Sequence, residues 1–282
     1  MKPPARTPRP FGLLLLLCQL SALWGCNAER QSLDLTVADA GLGFGNSARI
    51  HGLRFNVRDD QVEAVNGLNV TLWDPGENPE MVHRGLAVGL ARTDARDMTG
   101  ISVGSVAGAH NADGLNVGLL AVFGEGVVRG INLGPFLVWG GEQLTGLNAG
   151  LMVAGGGGIL GLNLAALTIT PRPVTDLFGE PDGSLSGLNA AGLIIDYPHL
   201  NGVSLAGLVR SRQLTGLTAA YVLADAREAV TGLSVAPFNF TDRLQGVQLG
   251  LLNHVASHPH PFKWLPLINV GWSRQETEER HP

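Results

Sequence analysis

One frame of apolar and polar positions repeats along most of the chain: a glycine, a large aliphatic residue, a polar residue, a second apolar residue, then glycine or alanine. Between Gly114 and Leu167 it reads GLNVGLL, GINLGPF, GLNAGLM and GLNLAAL, and these copies open at Gly114, Gly130, Gly146 and Gly161 with spacings of 16, 16 and 15 residues. Earlier copies open at Gly52, Gly67, Gly85 and Gly100, and later ones at Gly187, Gly202, Gly216, Gly232 and Gly246, which makes thirteen. A short fixed period marks a repeat array, in which each unit buries its apolar surface only against its neighbours.

Apolar residues stand one and three after the glycine, as in Leu115 and Val117 or Ile131 and Leu133, and this alternation predicts strands with that pair facing inward. The residue six after the glycine is apolar in most copies (Leu120, Phe136, Met152, Leu167), and so is the one two before the next opening glycine. The step from three to six is odd, so the strand must turn a corner at the small residue between them, such as Gly118, Gly134, Gly150 or Ala165. The prediction is an all-β fold, a β-solenoid with coils of about 15 residues. Its polar positions (Asn69, Ser102, Asn116, Asn132, Asn148, Asn163, Asn189, Ser204, Thr218, Ser234 and Gln248) would then stack as a ladder about 4.8 Å apart. The alternative is an antiparallel outer-membrane β-barrel with one strand per repeat, for which aromatics at 6% are too few to form two girdles.

The flanks divide around this array. Residues 29–51 read as a cap strand and a glycine-rich turn, 52–257 as the array, 258–272 as a closing strand and 273–282 as a disordered tail. The first copy is atypical, with Arg54 where later copies place Asn, as terminal repeats often are. Asp74, Pro75, Gly76 and Asn78 mark a turn-rich insertion, and Asp59 and Asp60 read as turn residues. A proline-rich insertion at 170–186 widens the spacing to 26 residues and is a candidate contact loop.

Composition narrows function. Between Gly114 and Thr170 only Glu125, Arg129 and Glu142 are charged, and a net charge of −5 offers no basic stripe for nucleic acid. Lys2, Arg6 and Arg9 precede the apolar run from Phe11 to Gly25, so 1–28 reads as an export signal. Leu23, Trp24, Gly25 and Cys26 have the form of a lipobox, which would make Cys26 a lipidation site; the alternative is ordinary cleavage near Ala28. Cys18 is the one other cysteine and lies inside the signal, so a cleaved chain carries no disulfide.

The tandem GLNVGLL and GVQLGLL units, preceded by HGLRFNV and ended by LPLINVGW, resemble bacterial surface-repeat proteins built from GLQLGLVN-type units. The resemblance covers about Ile50 to Trp272 and implies export and a place at the cell surface, with no catalytic residues to carry over.

Candidate chemistry is sparse. Gly100, Ser102 and Gly104 match a GxSxG elbow, but Ser102 falls in register with Asn116 and Asn132, which predicts a ladder residue instead. His254, His258 and His260 could ligate a metal, although Pro259 and Pro261 favour a solvated turn. The glycine runs at Gly41, Gly43 and Gly45 and at Gly155 to Gly158 lack the helix of a phosphate cradle. Asn69 and Asn239 each open a glycan-acceptor triplet, ending at Thr71 and Thr241. A polysaccharide-binding or polysaccharide-cleaving solenoid would need a row of exposed aromatics or a carboxylate cluster, and Trp73, Trp139 and Trp264 do not recur at one repeat position. The expectation is therefore an exported, non-enzymatic envelope repeat protein with a structural or binding role and no catalytic, cofactor or metal site. Its partner would be an unidentified envelope or extracellular one, and it would meet the membrane through a lipid anchor or as a barrel. The alternative function is a barrel pore or anchor.

Overall fold

The computed structural model describes residues 32–73, 78, 80–171 and 183–272. The expected signal with Cys26, the centre of the 170–186 insertion, the residues Asp74, Pro75 and Gly76 and the tail at 273–282 lie outside them. Among the described residues fifteen strands follow in chain order: β1 (Ser32–Val37), β2 (Ala40–Gly45), β3 (Arg49–Asn56), β4 (Ala64–Thr71), β5 (Val82–Thr93), β6 (Asp97–Ala109), β7 (Asn111–Gly124) and β8 (Val127–Gly140). Then come β9 (Gln143–Gly155), β10 (Gly158–Thr170), β11 (Ser184–Ala191), β12 (Ile194–Asp196), β13 (His199–Val235), β14 (Phe238–Val255) and β15 (Trp264–Gly271). Neighbours from β2 to β14 pair in parallel, and only β1 on β2 and β15 on β14 are antiparallel. The fold is a β-solenoid. Parallel pairing of coil on coil rules out the antiparallel barrel, whose strands must reverse at every turn.

The register is fixed by a column of glycine. Gly41, Gly52, Gly67, Gly85, Gly100, Gly114, Gly130, Gly146 and Gly161 pair one on the next, and Gly161 pairs Gly187 across the insertion without a slip. All fourteen column glycines, from Gly41 to Gly246, have φ between 107° and 149°. From Gly52 onward, a Cβ on any of them would meet the carbonyl oxygen of the preceding column glycine at 1.9–2.4 Å. Conformation and close approach therefore each demand glycine here. Gly41 adds a copy that the sequence frame does not show: the residues expected to form a glycine-rich turn are β2, and the cap proper is β1, joined to it by a tight hairpin at Ala38 and Asp39. The closing strand is shorter than 258–272, because Ser257 to Lys263 form the turn that lets β15 reverse onto β14.

The corner after the small residue is present. Pairing shifts between Gly89 and Arg92, Gly104 and Val106, Gly134 and Leu137, and Ala165 and Thr168 show the parity change as a bulge in these coils. The faces are the reverse of the expectation. Ile131, Leu133, Leu162, Leu164, Leu188, Val203 and Leu205 are substantially exposed, as are Leu120, Phe136 and Leu193 at the sixth position, whereas Asn132, Asn148 and Asn163 are fully buried. The small residue must lie inside a tight corner, and strand alternation then puts the polar position on that same inner side. The core consists of the column two before the glycine (Val65, Val128, Leu144, Ile159, Leu185, Leu200), the polar column, the small corner residues, and a second aliphatic column (Val122, Val138, Val153, Ile169, Ile195, Val209).

Candidate functional site

The inner polar column divides into a ladder and a cap. Asn116 Nδ2 donates to Asn132 Oδ1 at 2.8 Å, Asn132 to Asn148 at 2.8 Å, Asn148 to Asn163 at 2.7 Å and Asn163 to Asn189 at 2.8 Å. Each amide donates up the stack and accepts from below, so burial leaves the chain of bonds satisfied and mutually polarised. Ser102 belongs to the same column, buried and bonded to Thr93 Oγ1 at 2.8 Å, so it faces no substrate. Asn69 and Asn239, the first residues of the glycan-acceptor triplets, are buried as well and cannot present an amide to a glycan-transferring enzyme.

At the N-terminal end of the column Arg54 is fully buried and pairs with Asp59. The Asp59 carboxylate also accepts from Thr71 Oγ1 at 2.6 Å, Asn56 Nδ2 at 2.9 Å and Asn69 Nδ2 at 3.0 Å, while Arg54 donates to Asn69 Oδ1 at 3.0 Å and to Asn46 Oδ1 at 3.1 Å. Burial by itself would raise the Asp59 carboxyl, but Arg54 and these hydrogen bonds outweigh it and hold the group below its ordinary value. Asp59 is thus a buried counter-ion and not the turn residue the sequence suggested. Nearby, His83 occupies a core position held elsewhere by Val65 or Met98, and burial pushes its pKa down to about 4. Neither of its ring nitrogens has a hydrogen-bond partner.

The outer surface opposite the ladder is apolar along the whole array. One residue after the glycine stand Leu53, Leu68, Leu86, Ile101, Leu115, Ile131, Leu147, Leu162, Leu188, Val203, Leu217, Leu233 and Val247, aliphatic without exception. The column three after the glycine is apolar throughout, from Phe55 to Leu249. Beside these runs a column that is mostly polar, including His51, Asn66, Arg84, Asp113, Arg129, Asn201 and Gln245. An apolar stripe of this length exceeds what soluble monomers ordinarily leave uncovered.

Among the other residues singled out, His254 packs its ring 4.2 Å from Trp264 and 6.1 Å from Phe240, while His258 sits in the turn before β15. No three metal-ligating side chains come together among the described residues. Phe123 and Trp139, which are nine residues after Gly114 and Gly130, stack with ring centroids 4.3 Å apart. Their shared offset is visible in the sequence only once Phe is counted with Trp. No protein-family model matches the chain, and no curated protein or solved structure is significantly similar to it.

Proposed function

We propose that the chain is an exported, non-enzymatic envelope repeat protein with a structural role, in which two solenoids pair through their apolar outer faces. The observation that carries this reading is the unbroken aliphatic column from Leu53 to Val247 on the outside of the fold. A surface column without a partner would tolerate polar residues somewhere in thirteen copies, and this column has none. The apolar leader after Lys2, Arg6 and Arg9 supports export, and the GLNVGLL-type units support a place at the bacterial surface, where lipidation of Cys26 would tether the rod to the membrane.

The second copy is favoured as occupant by area and by shape. Thirteen coils at about 4.8 Å give a stripe roughly 60 Å long, and a width of about 10 Å yields ~600 Å² per copy, ~1,200 Å² for the pair, where specific interfaces begin. A surface ridged at about 4.8 Å meets its complement in another with the same ridges, as in sheet-on-sheet packing. The terminal strands run antiparallel, so a second copy cannot continue the coil in register from either end.

The mature chain from Glu29 onward is expected to run as a dimer in detergent-free buffer by light scattering. Leu162→Lys with Leu188→Lys, both outward-facing, should give folded monomers. A monomeric wild-type chain overturns the pairing; if that monomer floats with phosphatidylcholine vesicles, the face belongs to a lipid surface, and if it does not, the face has no partner of either kind.

A further inference from the structure

A cleft of about 800 Å³ opens on the outer surface where the coils of Gly85, Gly100 and Gly114 meet. Strand pairing sets Gly108 beside Phe123, and Phe123 beside Trp139, in one outward column. Phe123 and Trp139 fill successive rungs with stacked rings, inclined at 28°, and the stack ends there because the next residue of the column is Gly108, which is buried. One face of the Phe123 ring is covered by Trp139, and its other side borders the cleft. The Arg92 side chain packs over Gly108, within 3.8 Å of where its Cβ would stand, and forms the wall of the cleft beyond it. Ala95, Val106, Ala109 and Ala121 keep the floor low and apolar.

The polar groups around this cleft are balanced in charge. Arg92 Nη2 lies 3.1 Å from Asp94 Oδ2, Arg96 Nη1 lies 3.0 Å from Glu80 Oε2, and His110 Nδ1 lies 3.6 Å from Glu125 Oε2. An ion entering the cleft would have to break one of these pairs, whereas a ligand whose groups both donate and accept can bridge them intact. Burial raises the Asp94 carboxyl despite the lowering effect of Arg92, in keeping with a site partly shielded from solvent.

We infer that this cleft binds an uncharged pyranose ring of a saccharide, seated in the cleft against the Phe123 ring at the end of the Phe123–Trp139 stack. The C–H face of the sugar lies on the free face of Phe123, and its hydroxyls donate to Asp94 and Glu125 and accept from Arg92 and Arg96. This ligand class joins an apolar face to hydroxyls that each donate and accept, and the cleft offers both halves. The site stands on different residues from the outer aliphatic columns and does not depend on the pairing of two copies.

The test uses the whole mature chain with cellotriose, maltotriose and chitotriose as probes, read by calorimetry and by the fluorescence of Trp139 behind the Phe123 ring. The expected result is saturable binding of at least one probe with a fluorescence change, weakened about tenfold or more by Phe123→Ala, as the loss of one ring-stacking contact implies. Phe136→Ala, an exposed ring away from the cleft, should leave binding unchanged. Asp94→Asn, which keeps shape and removes charge, provides a second variant should Phe123→Ala unfold, and it too should weaken binding. The inference is overturned if none of the three probes binds at millimolar concentration, or if binding persists unchanged in both cleft variants.

Discussion

The first coils and the middle coils have the same backbone and opposite interiors. From Asn116 to Asn189 the inner polar column is one residue type repeated, each amide bonded to its neighbours, and the surrounding core is aliphatic apart from Tyr197, whose hydroxyl donates to Gly155 O. From Arg54 to His83 the same space holds a guanidinium, a carboxylate and several amides tied into a single network of unlike groups, with the unbonded imidazole of His83 beside it. A repeat can be satisfied by translation, since whatever one coil leaves open the next one closes. A terminus has no further coil, and in this protein its polar column is closed by a charge pair. The difference teaches where the fold is vulnerable: the middle can lose one rung and keep the others, while the N-terminal network depends on every member at once.

Removing a member at the terminus should therefore have the largest effect. Asp59→Ala leaves Arg54 buried without its counter-ion and takes an acceptor from Thr71, Asn56 and Asn69. We expect a loss of about 3–5 kcal/mol, measured by urea unfolding, with the first coils opening ahead of the rest in hydrogen exchange. A loss below about 1 kcal/mol would mean that the network is incidental to the cap.

His83 sharpens the comparison through pH. Its folded pKa of about 4 lies below the ordinary 6.5, so between these values the unfolded chain binds the proton that the folded chain excludes. Stability is complete above about pH 6.5 and falls as pH drops toward about 4, by roughly 3 kcal/mol at the lower end. His83→Leu replaces two unpartnered ring nitrogens with a side chain of the type that fills this column elsewhere. It should flatten the pH dependence in that window, and the middle coils, whose interior of amides, aliphatics and Tyr197 holds nothing that titrates between these values, should be indifferent to it. An unchanged acid limb in the variant would place the sensitivity elsewhere.

The period, the corner and the ladder could all be read from the sequence because each depends on residue type at a fixed offset. The facing is legible as well, in the residues that precede the glycines. Arg84, Asp113, Arg129 and Gln245 precede their glycines and share parity with the aliphatic pair, and charge at that position marks the outer side. Hydrophobicity pointed the other way because the inner face of this solenoid is lined partly with amides, whose burial is permitted only by stacking. Arg54 was visible as an exception to the Asn column, but its partner Asp59 was not, since the intervening chain had to fold back to bring them together. The cleft depended on knowing that Gly108, Phe123 and Trp139 share a column, and the bulge between Gly104 and Val106 hides that alignment from simple counting.

The smallest effect is expected in the middle of the ladder. Asn148→Ala strands the Nδ2 of Asn132, which loses its acceptor, and the Oδ1 of Asn163, which loses its donor. Two buried groups without partners would suggest a heavy cost, but each can relax by rotating toward its remaining neighbour, and the methyl of alanine leaves room for a water molecule between them. The net loss should be about 1–3 kcal/mol by urea unfolding, less than for Asp59→Ala. Asn148→Leu tests the same rung differently, since it fills the space and admits no water. If the ladder acts chiefly through its hydrogen bonds, the leucine variant should be the less stable of the two. If packing volume governs this column, it should be the more stable, and the amides would then serve to hold register more than to hold the fold together.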